Sequence, residues 1–139
     1  MIQERYCSYE VSKLLQEKGF DEPCRSIYID CVDYVDFYYS EEEQTNLQIG
    51  VFEVLRPTHQ MTMDWLRKKG FYIEIQTLFN EFEPSLLKFT NFHALITIII
   101  DGRVIDEIHL TDEGIKDYGE CVENAIKYCL TELMKGDKG

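Results

Sequence analysis

Basic residues are scarce in this chain of 139 residues: 14 Lys and Arg stand against 26 Asp and Glu, for a formal net charge of −12. Binding to the outside of DNA or RNA needs cations that displace phosphate counterions, so direct contact with a nucleic-acid backbone is not expected. Attachment to an anionic membrane is disfavoured for the same reason. Proline and glycine are few, 3 and 8, and no short period recurs, which excludes collagen, a Pro-rich linker and a repeat solenoid. The most apolar run, Ala94 to Ile100, is far too short for a membrane span. Met1 to Tyr6 shows no basic stretch leading into an apolar one, so no signal peptide is expected. The five cysteines are odd in number and none has C-x-x-C spacing, which argues against a disulfide scaffold, a zinc ribbon or a thioredoxin-type site. These features describe a cytoplasmic protein in a reducing compartment.

Motifs for the common chemistries are missing as well. There is no phosphate-binding glycine loop, dinucleotide fingerprint, H-E-x-x-H, nucleophile elbow or calcium loop. No catalytic residue, cofactor or metal is therefore expected. The three histidines, His59, His93 and His109, test that expectation. Asp101-Gly102 is a strong two-residue hairpin signal within residues 92–110. An unbroken register from that turn sets Ile100 against Arg103, Ile98 against Ile105, Ile96 against Glu107 and Ala94 against His109. His93 and His109 would then point to opposite faces of the sheet and could not share a ligand.

What is present is a composition with a core: 45% hydrophobic and 29% charged, at the length of one domain. Ser8 reads as an N-cap, followed by Val11, Leu14 and Leu15 on one stripe and by Gly19 as a stop. Residues 26–39 read as a strand with a bend or bulge near Asp33. The Ser40–Asn46 stretch reads as a polar turn, and the alternation of Leu47, Ile49, Val51 and Leu55 as a further strand. Thr58 caps a second helix that ends at Gly70, with Trp65 expected to be buried. Phe71 to Phe79 forms a strand, Pro84 lies in a loop, and the 92–110 hairpin follows. Asp117 opens a last helix, with Tyr118, Val122, Ala125, Ile126, Cys129 and Leu133 on one stripe and Gly136 as its stop. Runs of adjacent strands between helices imply a single α+β domain over 1–139, with a mainly antiparallel sheet of about five strands and two or three helices on one face. Leu14–Phe20 and Trp65–Phe71 echo each other, each a helix that ends in glycine and leads into a strand.

The most unusual stretch is acidic and aromatic. From Asp21 to Glu53 there are nine carboxylates against Arg25 alone, interleaved with Tyr28, Tyr34, Phe37, Tyr38 and Tyr39. Carboxylates meet Lys and Arg of a partner, while tyrosine supplies apolar area with few torsions to freeze. Tyr34, Asp36, Tyr38, Glu41, Glu42 and Glu43 are the candidate partner-binding residues, and a basic protein is the expected partner. The competing reading is a small enzyme or small-molecule-binding domain with a pocket between the sheet and the C-terminal helix, lined by Cys121, Tyr128 and His109.

Three blocks, Tyr6 to Phe20, Pro57 to Arg67 and Tyr118 to Leu130, carry a resemblance. The most specific is Pro57-Thr-His-Gln-Met, followed by Trp65-Leu-Arg67. Together they resemble a group of small proteins of gut bacteria and their phages or prophages that has no assigned activity. The resemblance implies a mobile-element origin and carries over no catalytic residue.

Overall fold

In the computed structural model of the chain, residues 5–78, 91–110, 114–115 and 117–135 are described. The fold is α+β: among the described residues there are six antiparallel strands in two three-stranded sheets, with three helices packed against them. The chain divides into two compact units, Met1–Thr62 with Leu130–Gly139, and Met63–Cys129.

The first unit starts with α1 (Tyr9–Glu17), where the Ser8 hydroxyl accepts the Val11 N–H at 3.2 Å and satisfies one orphan donor of the first turn. Val11 and Leu15 are buried, as the stripe requires. Three strands follow, β1 (Cys24–Asp30), β2 (Val35–Gln44) and β3 (Glu53–Leu55), in the order β2-β1-β3. The expected strand over 26–39 is in fact a hairpin. The chain reverses at residues 31–34, where the Cys31 N–H donates to the Tyr34 carbonyl at 2.9 Å. Val32 sits at the tip with φ 75°, a conformation that crowds Cβ against the backbone and is rare for a β-branched residue. The Asp30 carboxylate takes the Val32 N–H at 3.0 Å and helps to hold it there. Val32→Asn is expected to stabilise the first unit by about 1 kcal/mol, because asparagine tolerates this region without glycine's entropy cost. A higher urea midpoint at unchanged slope checks it.

The chain after β2 also differs from the expected strand. Residues 45–52 are mostly turn, and Leu47 and Val51 are each 94% exposed. Asn46 fixes this loop to the end of α1: its N–H donates to Asp21 at 2.7 Å and its side-chain amide to the Phe20 carbonyl at 2.9 Å. The alternation of Leu47, Ile49 and Val51 therefore reflects no buried face.

Thr58 caps α2 (His59–Lys68) by accepting the Met61 N–H at 3.1 Å. Tyr6 bridges to Thr58, and Cys7 donates its N–H to the Pro57 carbonyl at 2.9 Å.

In the second unit, β4 (Phe71–Leu78), β5 (Asn91–Ile100) and β6 (Arg103–His109) lie in the order β4-β5-β6. Ile73, Ile75, Phe92 and Ala94 on one face pack with Cys121 and Ala125 of α3 (Tyr118–Tyr128), joined by Leu110 and Ile115. Asp117 caps α3 through Oδ2, which accepts the Glu120 N–H at 2.9 Å. A π-helical turn, Cys129–Leu133, replaces the last turns of the expected helix. Trp65 is buried, as the wheel predicts. Tyr118 is 45% exposed rather than in the core stripe, with its ring edge-on to Phe92 at 5.4 Å. Phe79, Pro84 and Gly136 lie outside the described residues. The helix–Gly–Phe echo does not mark two copies of one fold: the first strand of the first unit is central, whereas in the second unit the second strand is.

Candidate functional site

The hairpin β1–β2 carries the candidate partner-binding residues, and its register sorts them. Ser26 pairs with Tyr39, Tyr28 with Phe37 and Asp30 with Val35, so these share one face; Ile27 pairs with Tyr38 and Ile29 with Asp36 on the other. The first face is an array of edge-on rings: Tyr9 with Tyr28 at 5.6 Å, Tyr28 with Phe37 at 6.5 Å, Phe37 with Tyr39 at 5.9 Å, and Tyr6 with Tyr39 at 6.3 Å. Arg56, one residue beyond β3, lies among them. Its guanidinium is 3.7 Å from the Phe37 ring centre, 4.1 Å from Tyr6 and 5.4 Å from Tyr28, and it donates to the Ser26 hydroxyl at 2.9 Å. Nothing local in the sequence marks Arg56 for this role, because the cage is assembled from three separate segments.

On the opposite face, the Tyr38 hydroxyl donates to Glu53 at 2.5 Å, and the same carboxylate accepts the Gly50 N–H at 2.6 Å. The Glu53 hydrogen bond, then desolvation and the carboxylate charge, push the Tyr38 phenol up to about 12. Tyr34 stands in the hairpin turn and is 62% exposed. Its phenol is also pushed up, first by a hydrogen bond with the Cys31 thiol and then by the charges of Cys31 and Asp36.

Glu41, Glu42 and Glu43 belong to β2 and not to a turn. Between the pairs Ser26–Tyr39 and Cys24–Gln44, β2 carries three more residues than β1, so the acidic run forms a bulge. Arg25 holds that bulge by its backbone: its guanidinium donates to the Glu41 carbonyl at 2.7 Å and to the Ser40 carbonyl at 3.3 Å. The six candidates therefore occupy three places, with Tyr34 at the tip, Asp36 and Tyr38 on one face and Glu41 to Glu43 in the bulge. Among the described residues, Asp33, Asp36, Glu41, Glu42 and Glu43 enter no ion pair. Sequence reasoning missed Val32 and Phe52, which are 92% and 70% exposed beside the tip, where Asp30 donates its N–H to the Phe52 carbonyl at 2.9 Å.

The histidine pair requires a correction. Beyond the Asp101-Gly102 turn, Ile99 pairs with Val104 but Ile98 pairs with Asp106, so Ile105 is an extra residue on β6. A one-residue slip turns every later side chain to the other face. His109 consequently lies opposite Leu95, not Ala94, and shares a face with His93. His93 Nε2 and His109 Nδ1 are 3.0 Å apart, with ring centroids at 5.1 Å and planes 28° apart. The centroid separation exceeds the nitrogen separation by about twice the radius of the ring, so the rings meet nitrogen to nitrogen, not face to face. The adjacent apolar residues Val104 and Ile105 break strict alternation, and that was the available signal.

Cys121 packs near Ala94 on the core face, so His109 and Cys121 lie on opposite faces of this sheet. No disulfide joins the five cysteines. Burial pushes the Cys129 thiol up to about 12, and burial followed by the charges of Glu43, Glu22 and Asp21 pushes Cys24 up to about 12. Burial and then Glu120 raise Cys121. Thiols held neutral in this way are poor nucleophiles. Among the described residues, no helix is long and apolar enough to cross a membrane. Comparison with protein-family models, curated proteins and solved structures finds no match to the chain.

Proposed function

We propose that the protein acts by docking a basic partner protein on the acidic-aromatic hairpin β1–β2 of its first unit. The observation that carries this reading is the company the carboxylates keep. Exposed apolar and aromatic groups, Val32, Tyr34 and Phe52, stand at the tip of a strand pair whose Asp33, Asp36 and Glu41 to Glu43 enter no ion pair among the described residues. The two arginines of the region, Arg25 and Arg56, direct their donors to backbone carbonyls, a serine hydroxyl and aromatic rings, and neither forms an ion pair with these carboxylates among the described residues. Such a surface offers long-range attraction to Lys and Arg together with apolar area at the point of contact. Backbone strain at an exposed valine also fits a contact point, since strained residues concentrate at binding elements. A phage or prophage origin would suit an accessory protein of this kind.

The test is affinity capture from host lysate at low and high salt. It uses the wild type, a variant with Asp33, Asp36, Glu41, Glu42 and Glu43 changed to Asn or Gln, and Tyr34→Ala. The expected result is a partner of high isoelectric point whose retention falls with salt and is lost in both variants. Retention of every partner by the charge variant, or capture indifferent to salt, would reduce the surface to a solubilising one.

A further inference from the structure

We propose that His93 and His109 form a two-imidazole site for a borderline transition-metal dication of the Ni²⁺ or Cu²⁺ type. Two nitrogens bound to one ion at about 2.0–2.1 Å stand about 2.9 Å apart when the angle at the metal is a right angle, and about 3.4 Å apart when it is tetrahedral. His93 Nε2 and His109 Nδ1 share a hydrogen bond at 3.0 Å, and that spacing is also the one between adjacent corners of a tetragonal site, the geometry of Cu²⁺ and Ni²⁺ with nitrogen and oxygen ligands, so an ion that binds here replaces the bridging proton. Imidazole is a ligand type these ions favour. The two rings are borne by neighbouring strands, which fix ligand positions better than loops do. His93 is 8% exposed and anchored, whereas His109 is exposed and can turn its ring so that both lone pairs meet beside the nitrogen–nitrogen line.

The surroundings suit a cation. Glu74 lies opposite Leu95 and Glu107 opposite Thr97, so both share the histidines' face by register, and both are exposed. Their charge attracts the ion, and water completes its coordination. The site exists only because of the Ile105 bulge, since the unbroken register would place the two rings on opposite faces.

The probe is Ni²⁺ alone, titrated calorimetrically into the full-length protein at neutral pH in a non-chelating buffer, with Mg²⁺ as the hard-ion control. Wild type is expected to take up one equivalent that Mg²⁺ does not displace. His109→Ala, at an exposed position and with its fold checked by circular dichroism, is expected to weaken that binding by more than about tenfold, the lower end of what losing a mere supporting residue costs a metal site. His59→Ala should leave it unchanged. In nuclear magnetic resonance spectra, paramagnetic Ni²⁺ should broaden the ring signals of His93 and His109 first. No saturable uptake by the wild type, an unchanged isotherm in His109→Ala, or loss of binding in His59→Ala would overturn the proposal.

Discussion

Gly70→Ala is expected to destabilise the second unit by more than about 3 kcal/mol, an effect outside the usual range for a single methyl group. Two causes add. Gly70 has φ +97°, where any Cβ crowds the backbone at a cost of about 1–2 kcal/mol. A Cβ there would also stand 2.6 Å from the Ile99 carbonyl oxygen, which belongs to the backbone and cannot swing aside. The Gly70 carbonyl meanwhile accepts the Ile99 N–H at 2.8 Å, so relieving the clash breaks a hydrogen bond where β4 begins. Gly102→Ala is the control: its φ is +76° but nothing lies within 4 Å of the added carbon, so only the first cost applies. Urea unfolding of the two variants separates the terms. Equal losses would mean that the Ile99 strand yields to the methyl group.

Raising the pH from 9 to 12 is expected to remove roughly 4 kcal/mol of stability from the second unit through Cys129 alone, since each unit of pKa difference is worth about 1.4 kcal/mol. The thiol ionises near 9.0 in the open chain and near 12 in the fold, where burial keeps it neutral. Its contribution is complete below pH 9, because both states are then protonated. It declines as the unfolded chain loses a proton that the folded one retains, and it is gone above pH 12. Cys24 acts in the same direction in the first unit over the same interval. Trp65, the single tryptophan, lies in the same unit as Cys129 and reports its unfolding by fluorescence. Chemical denaturation at pH 8.5 and 10.5 should show the fall, and Cys129→Ala should make it shallower. A wild-type profile that stays flat between those values would mean that this thiol ionises in place.

Much of the fold was legible because its signals are local. Ser8, Thr58 and Asp117 each cap the helix expected of them, and Asp101-Gly102 turns the chain where a two-residue loop should. The reversal at 31–34 was not legible, since it uses Val32 where a sequence reader looks for glycine or asparagine. The turn at 45–52 was hidden by an alternation of apolar residues of which only the last, Leu55, is buried. Within the candidate site, the acidic and aromatic residues were visible as composition. Their distribution over tip, face and bulge was not, because it depends on a register that shifts by three residues within β2. The caging of Arg56 is a tertiary contact among distant segments and leaves no local trace. The histidine pair was lost to a single extra residue in β6.

The two bulges share a location with a further consequence: among the described residues, β2 and β6 are both outermost strands of their sheets. An outermost strand with an even row of amides and carbonyls is a template on which another chain can extend the sheet. Extra residues interrupt that row and twist it, so an incoming strand finds no continuous ladder along either of these margins. Recognition by strand addition, which draws its affinity from main-chain hydrogen bonds, is thereby discouraged at β2 and β6. A visitor to β2 must instead be read by its side chains, and these proteins should resist templated self-assembly along the same margins even at high concentration.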